Sequence, residues 1–122
     1  MSKNITLTEA EEKLALLIRR EAPLASPDLV SLAERELEWK KSTTYTVLKK
    51  LCDKGVFRNE NASVSVALTR DEQLARQSRR YVEDTFGGSL PKFVTAFIGG
   101  GGLTPEQAEE LRRLIDEHES GS

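Results

Sequence analysis

A mainly α-helical fold with one small β-hairpin is what the sequence predicts, and three observations predict it. Apolar residues recur at helical spacing in separate stretches, each bounded by a start or stop signal. From Val56 to Thr69 the period shortens to 2, with Val64, Val66 and Leu68 alternating against Ser63, Ser65 and Ala67. The chain has 122 residues, 38% of them hydrophobic. That suffices for one compact domain, or a small one with an oligomerising tail, and is too little for two enzymatic domains.

The first half reads as three helices and the hairpin. Thr8-Glu9-Ala10-Glu11 has capping-box spacing, in which a hydroxyl and a carboxylate each satisfy an orphan backbone N–H. Ala10, Leu14, Leu17 and Ile18 then mark one helix face ending near Glu21, and Ala22-Pro23 stops the helix. Ser26-Pro27-Asp28 starts the second helix, with Ser26 as its cap and Leu29, Leu32, Ala33 and Leu37 as its buried face. A turn through Trp39-Lys40-Lys41, with Trp39 packed on the domain, leads to a third helix with Thr44, Val47, Leu48 and Leu51 inward. Lys54-Gly55 closes that helix, the glycine being free to adopt a left-handed conformation. Val56 to Glu60 and Ser63 to Thr69 form the hairpin, joined around Asn59-Glu60-Asn61, with no Asn-Gly or Asp-Gly to specify the turn.

The second half reads as three more helices. Thr69-Arg70-Asp71-Glu72 is another capping box, opening a long helix with Leu74, Ser78, Tyr81, Val82 and Thr85 on one side. Gly87-Gly88-Ser89 breaks it. Leu90, Phe93, Val94, Phe97 and Ile98 stripe a fifth helix, Gly99 to Gly102 reads as a flexible joint, and Thr104 to Gln107 caps a sixth helix with Ala108, Leu111, Leu114 and Ile115. The predicted division is therefore a three-helix module with a two-stranded wing over 1–69 and a helical region over 70–122. The second region has large stripes and little bulk to cover them. Leu74, Tyr81, Val82, Phe86, Leu90, Phe93, Val94, Phe97, Ile98, Leu111 and Ile115 are its candidate dimerisation residues, burying one another across a homodimer. The alternative folds them back on their own domain.

Several function classes are excluded by composition. The single cysteine, Cys52, allows no intramolecular disulfide and no cysteine-based zinc site within one chain, and reads as a half-buried structural thiol. One histidine, His118, makes no cluster. Glu9, Glu11 and Glu12 read as a solvated helix start without convergent partners. Gly99 to Gly102 has neither a preceding strand nor a lysine, so it is no phosphate loop. No enzyme, metal or cofactor is expected. No apolar run approaches the ~18–20 residues of a membrane span, and the polar start, Met1 to Asn4, does not read as a signal peptide. The expectation is a cytoplasmic protein without membrane insertion.

The net charge of −2 is unevenly spread. Residues 40–58 carry Lys40, Lys41, Lys49, Lys50, Lys54 and Arg58 against Asp53 alone, while both flanks are net acidic. This block coincides with the third helix, and helix, helix, turn, helix, hairpin is the order of a winged helix-turn-helix. With its apolar set inward, that helix turns Ser42, Thr43, Thr46, Lys49 and Lys50 outward, with Tyr45 at the border. A helix about 10–12 Å wide fits the major groove, where hydroxyls meet base edges and lysines suit phosphates. The candidate DNA-binding residues are Lys41, Ser42, Thr43, Tyr45, Thr46, Lys49, Lys50, Arg58, Asn59 and Asn61. The alternative is a winged-helix protein-interaction module docking an acidic protein; the thin wing and the absence of Arg, Asn and Gln on the third helix favour it.

Leu7-Thr8-Glu9-Ala10-Glu11, the run from Ser42 to Leu51, Asp53-Lys54-Gly55-Val56 and Phe86-Gly87-Gly88-Ser89-Leu90 stand in an order and spacing that resembles the penicillinase-repressor family (BlaI/MecI/CopY type). The closing Leu103-Thr104-Pro105-Glu106, with Leu111 and Ile115, is similar to that family's final helix. The resemblance implies a homodimeric transcriptional repressor, its winged helix on a palindromic double-stranded DNA operator and its C-terminal helices forming the dimer. In members controlling β-lactam resistance a membrane-bound sensor system inactivates the repressor by proteolysis, so a sensor or protease partner is implied as well. By the same resemblance Ser42, Thr43 and Thr46 match base-proximal positions, and Lys50 matches a basic position near the phosphates. The chain departs from the family at Glu12, usually tryptophan, at Thr44, usually apolar, and along the wing, Arg58 to Ser63, usually more basic. The family's Asn-Phe cleavage bond falls on Ala96-Phe97, and the cysteine motif of the copper-responsive branch is missing, so neither route of induction is expected.

Overall fold

The computed structural model describes residues 6–121, so the polar start, Met1 to Asn4, lies outside the described residues. Among the described residues the order is α1 (Glu9–Glu21), β1 (Leu24–Ala25), α2 (Ser26–Leu37), α3 (Lys41–Asp53), β2 (Phe57–Glu60), β3 (Ser63–Val66), α4 (Arg70–Phe86), α5 (Leu90–Gly101) and α6 (Pro105–Gly121). The chain forms two compact units, one through Arg80 and one from Tyr81.

In the first unit the start of α1 is the capping box the sequence predicts. Thr8 Oγ1 accepts from the Glu11 amide at 3.2 Å and Glu11 Oε1 accepts from the Thr8 amide at 2.8 Å. The inner face departs from the expected stripe at three positions: Ala10 is exposed, Ala15 is buried, and so is Glu11, expected in solvent. A carboxylate is tolerated there because two bonded partners compensate its lost hydration.

The start of α2 is also corrected. Ala25, not Ser26, is its N-cap, and no side chain caps it. The cause is β1, which the sequence reading missed because two residues carry no period. Leu24 and Ala25 pair with Val64 and Ser63, giving a three-stranded antiparallel sheet of order β1-β3-β2. The change from extended to helical backbone therefore falls on Ala25, and buried Ser26 donates its N–H to the Ala62 carbonyl at 2.8 Å.

Lys41 is the first residue of α3 rather than part of the turn, and Gly55, at φ +80°, ends the helix as expected. The hairpin loop falls between the two predicted segments, later than the centre expected at Asn59-Glu60-Asn61, and the second strand ends at Val66, short of Thr69. Glu60 pairs with Ser63, so only Asn61 and Ala62 turn, at φ +53° and +59°. Positive φ at both central residues is the type I′ pattern that matches strand twist. Burial of Phe57 and Val64 imposes the register, since a slip of one residue would expose them. Around them Leu14, Ile18, Leu29, Leu48, Leu51 and Val56 close the core, with Trp39, Tyr45 and Cys52 packed against it.

Thr69 and Glu72 form the second capping box at α4, their bonds measuring 3.1 and 3.3 Å. The buried residue of this helix is Gln73, outside the predicted stripe. In the second unit the glycine run is not a joint: Gly99, Gly100 and Gly101 continue α5, and only Gly102, at φ +71°, ends it. The ladder carries through because the Gly102 amide still reaches the Ile98 carbonyl. Thr104 and Gln107 cap α6 reciprocally at 3.1 Å each, as the spacing predicts.

Candidate nucleic-acid interface

The inner face of α3 positions its outer one. Thr44, Val47, Leu48 and Leu51 are buried, and the Thr44 hydroxyl is satisfied by the Lys40 carbonyl at 3.3 Å. A hydroxyl at this inward position is therefore compatible with the core. Opposite them Lys41, Ser42, Thr43, Thr46, Lys49 and Lys50 are exposed on one helix, and Tyr45 is half-buried. The Thr46 hydroxyl donates to the Ser42 carbonyl at 2.9 Å, so its proton is engaged while its lone pairs and methyl remain.

Arg58, Asn59 and Asn61 are exposed as well, but on β2 and the hairpin turn, a separate element of the same unit. β2 is an edge strand, and its polar run Arg58-Asn59-Glu60 suits that place.

Charge on this surface is less than the sequence suggests. Among the described residues Lys40, Lys41, Lys49, Lys50 and Arg58 have no carboxylate within ion-pair distance. Lys54 is different: its ammonium lies 2.6 Å from Glu11 Oε1. The N-terminus of α3 has no side-chain cap and no acid in its first turn, so the positive end of its dipole stands beside Lys40 and Lys41. Cys52 is half-buried; burial pushes its thiol pKa up, and the charge of Asp53 adds to this, the opposite of a reactive thiolate.

Two residues that organise this unit were missed in the sequence. Glu11 was legible as a cap but not as the partner of a lysine 43 positions away. Arg19, on α1, bonds the Leu68 carbonyl and Gln73 Oε1, and no local pattern announces either.

The second unit contains the predicted apolar residues from Tyr81 onward; Leu74 is exposed on the part of α4 that belongs to the first unit. Tyr81, Phe86, Phe93 and Phe97 form a chain of tilted and edge-on rings with centroids 5.6 to 6.2 Å apart. Val82, Phe86 and Phe93 are half-buried, while Leu90, Val94, Phe97, Ile98, Leu111 and Ile115 are exposed, as is Leu114. No residue of α5 or α6 is buried. A groove of about 340 Å³ runs between these helices, lined by Phe93, Val94, Phe97, Leu103, Leu111 and Leu114.

Three helices on a small sheet, the third with a polar and basic face in solvent, make a winged-helix domain. The chain belongs to the penicillinase repressor family, which it matches over residues 7–117. That family consists of DNA-binding transcriptional regulators and not of enzymes. No curated protein matches the chain. Among the described residues no helix is long and apolar enough to cross a membrane.

Proposed function

We propose that the chain is a homodimeric transcriptional repressor that places α3 of each protomer in the major groove of a palindromic operator. The winged domain, residues 1–69, meets DNA, and residues 70–122 make the dimer. The observation that carries this reading is the exposed face of α3, where Ser42, Thr43 and Thr46 stand among lysines that no carboxylate of the described residues neutralises. Ser42, Thr43, Tyr45 and Thr46 meet base edges, and Lys41, Lys49, Lys50 and Arg58 neutralise phosphates, with Asn59 and Asn61 at the wing. Two such helices on a dimer read half-sites about 10–10.5 bp apart, or a multiple of that.

The unburied stripes of α5 and α6 support the dimer, since Leu90, Phe97, Ile98, Leu111 and Ile115 would otherwise stay in water. Selecting duplexes from fragments of the source genome and titrating the best with salt tests the DNA reading. The expected result is a sequence-preferring complex whose log affinity falls with log salt by about 0.9 per phosphate neutralised. A chain that retains no duplex in preference to a scrambled one overturns it. Sedimentation gives the mass of two chains at micromolar concentration, and the mass of one chain removes the dimer.

A further inference from the structure

Thr43, Thr46, Lys50 and Lys54 succeed one another at steps of three and four residues, the spacing of a single row along a helix. By position alone Lys54 belongs with the phosphate-binding cations. Its ammonium is engaged elsewhere. Lys54 Nζ donates to Glu11 Oε1 at 2.6 Å and to the Thr6 carbonyl at 2.9 Å; its side chain is 23% exposed and that of Glu11 only 2%. The same carboxylate oxygen accepts the Thr8 amide at 2.8 Å. One oxygen thus caps the start of α1 and holds the C-cap residue of α3.

We propose that Lys54 and Glu11 form a positioning pair that sets the pose of α3 on its domain, and that Lys54 makes no contact with DNA phosphate. This rests on the repressor reading above. The apolar face of α3 holds the helix to the core, but apolar packing is non-directional. The Lys54 bond is directional and short, and breaking it leaves a buried carboxylate without its cation, so the link is retained when a polyanion approaches. Lys49 and Lys50, exposed on the same helix, have no such tie among the described residues.

Leverage follows from helix geometry. The thirteen residues of α3 span about 20 Å, so a tilt of about 5° at the Lys54 end moves the first turn by about 1.7 Å. Hydrogen bonds and methyl contacts to base edges do not survive such a shift, whereas long lysine side chains follow a phosphate through it. Loss of the pair therefore falls on sequence discrimination and leaves general DNA affinity in place.

The test compares Lys54→Met, Lys54→Arg and Lys50→Met with the wild-type chain on the selected duplex and on a scrambled one. Lys54→Met is expected to lose about tenfold on the selected duplex only, with its salt slope unchanged and Lys54→Arg restoring the difference, whereas Lys50→Met lowers the slope by about 0.9 on both. Weakening of Lys54→Met on both duplexes with a lower slope makes Lys54 a phosphate contact and overturns the proposal; so does an unchanged preference. Should Lys54→Met not fold, lysine-ammonium NMR of the wild-type chain decides. The Lys54 signal is expected to stay fixed while that of Lys50 moves on adding duplex, and a moving Lys54 signal overturns the pair. Preference of the wild-type chain for its duplex tests the repressor reading separately, so failure of the pair leaves that reading standing.

Discussion

The guanidinium carbon of Arg19 stands 5.0 Å from the centre of the Phe57 ring. From that place its two terminal nitrogens donate to the Leu68 carbonyl at 2.9 Å and to Gln73 Oε1 at 2.8 Å. One side chain of α1 thereby joins the first residue of β2, the exit of the hairpin and the first turn of α4. Arg70 adds an exposed bond to Glu12 at 3.3 Å, which salt screens. Arg19 Nε and Gln73 Nε2 are buried without partners among the described residues, so the junction is polar and only partly satisfied.

Arg19→Met is predicted to destabilise the first unit by about 2–3 kcal/mol, because Gln73 and the Leu68 carbonyl lose a charged donor. Adding Gln73→Leu removes the stranded amide and is expected to return about 1 kcal/mol of that loss. Urea midpoints of the single and double variants give the comparison, and additive losses would show that the two side chains are not coupled.

Acid should weaken the domain through Glu11. Burial alone would raise its pKa, but the Lys54 ammonium and the Thr8 amide and hydroxyl outweigh burial and hold it below its ordinary value. A depressed folded pKa means stability that is complete above the unfolded value of about 4.3 and is lost as pH falls through the folded one. Glu11→Gln is predicted to be less stable than wild type near neutrality and to lose less between about pH 5 and about pH 3. Glu36, also held low by its bond to Arg20, lies in solvent, and Glu36→Gln should leave the acid limb of thermal melts unchanged.

Ala62 sits in the left-handed region at φ +59°, where its Cβ crowds the following carbonyl. Ala62→Gly is predicted to stabilise the hairpin by up to about 1 kcal/mol, the relief exceeding the entropy glycine adds to the unfolded chain. Thermal melting detects it, and a lower midpoint would show that the alanine methyl has a packing role.

The engaged hydroxyl of Thr46 shapes what it offers DNA. If it reads through its methyl, Thr46→Val holds the affinity for the selected duplex, while Thr46→Ser loses about fivefold. Replacing the contacted thymine by uracil should then weaken the wild-type chain and not Thr46→Ser. Equal losses in both variants would mean that the Ser42 bond opens on DNA and the hydroxyl donates to a base.

A Cβ at Gly99, Gly100 or Gly101 would meet nothing within 4 Å. Each change to alanine is predicted to favour the helix by up to about 1 kcal/mol, read as a higher melting temperature. A dimer weakened by the same change would place a second copy against that backbone.

Local chemistry was well legible in the sequence. The capping boxes at Thr8, Thr69 and Thr104 lie within four residues each, and the inward set of α3 follows from a period about one turn long. The candidate face followed too, because Ser42, Thr43, Thr46, Lys49 and Lys50 are what remains once Thr44, Val47, Leu48 and Leu51 point inward. The glycine run does not read as helix because glycine's weak helix propensity is visible locally, whereas the hydrogen-bond ladder that carries α5 through Gly101 is not.

By itself, then, the sequence determined where α1, α4 and α6 begin, which side of α3 faces water and that one stretch of an acidic chain is basic. Tertiary structure alone decided that Leu24 and Ala25 become a strand, that Glu11 is buried, that Lys54 leaves the basic row and that Arg19 holds Gln73. The reason is distance along the chain. Caps and periods depend on neighbours a few residues away, whereas the state of a charge depends on which remote group loses its water beside it, 43 residues away for Glu11 and 54 for Arg19.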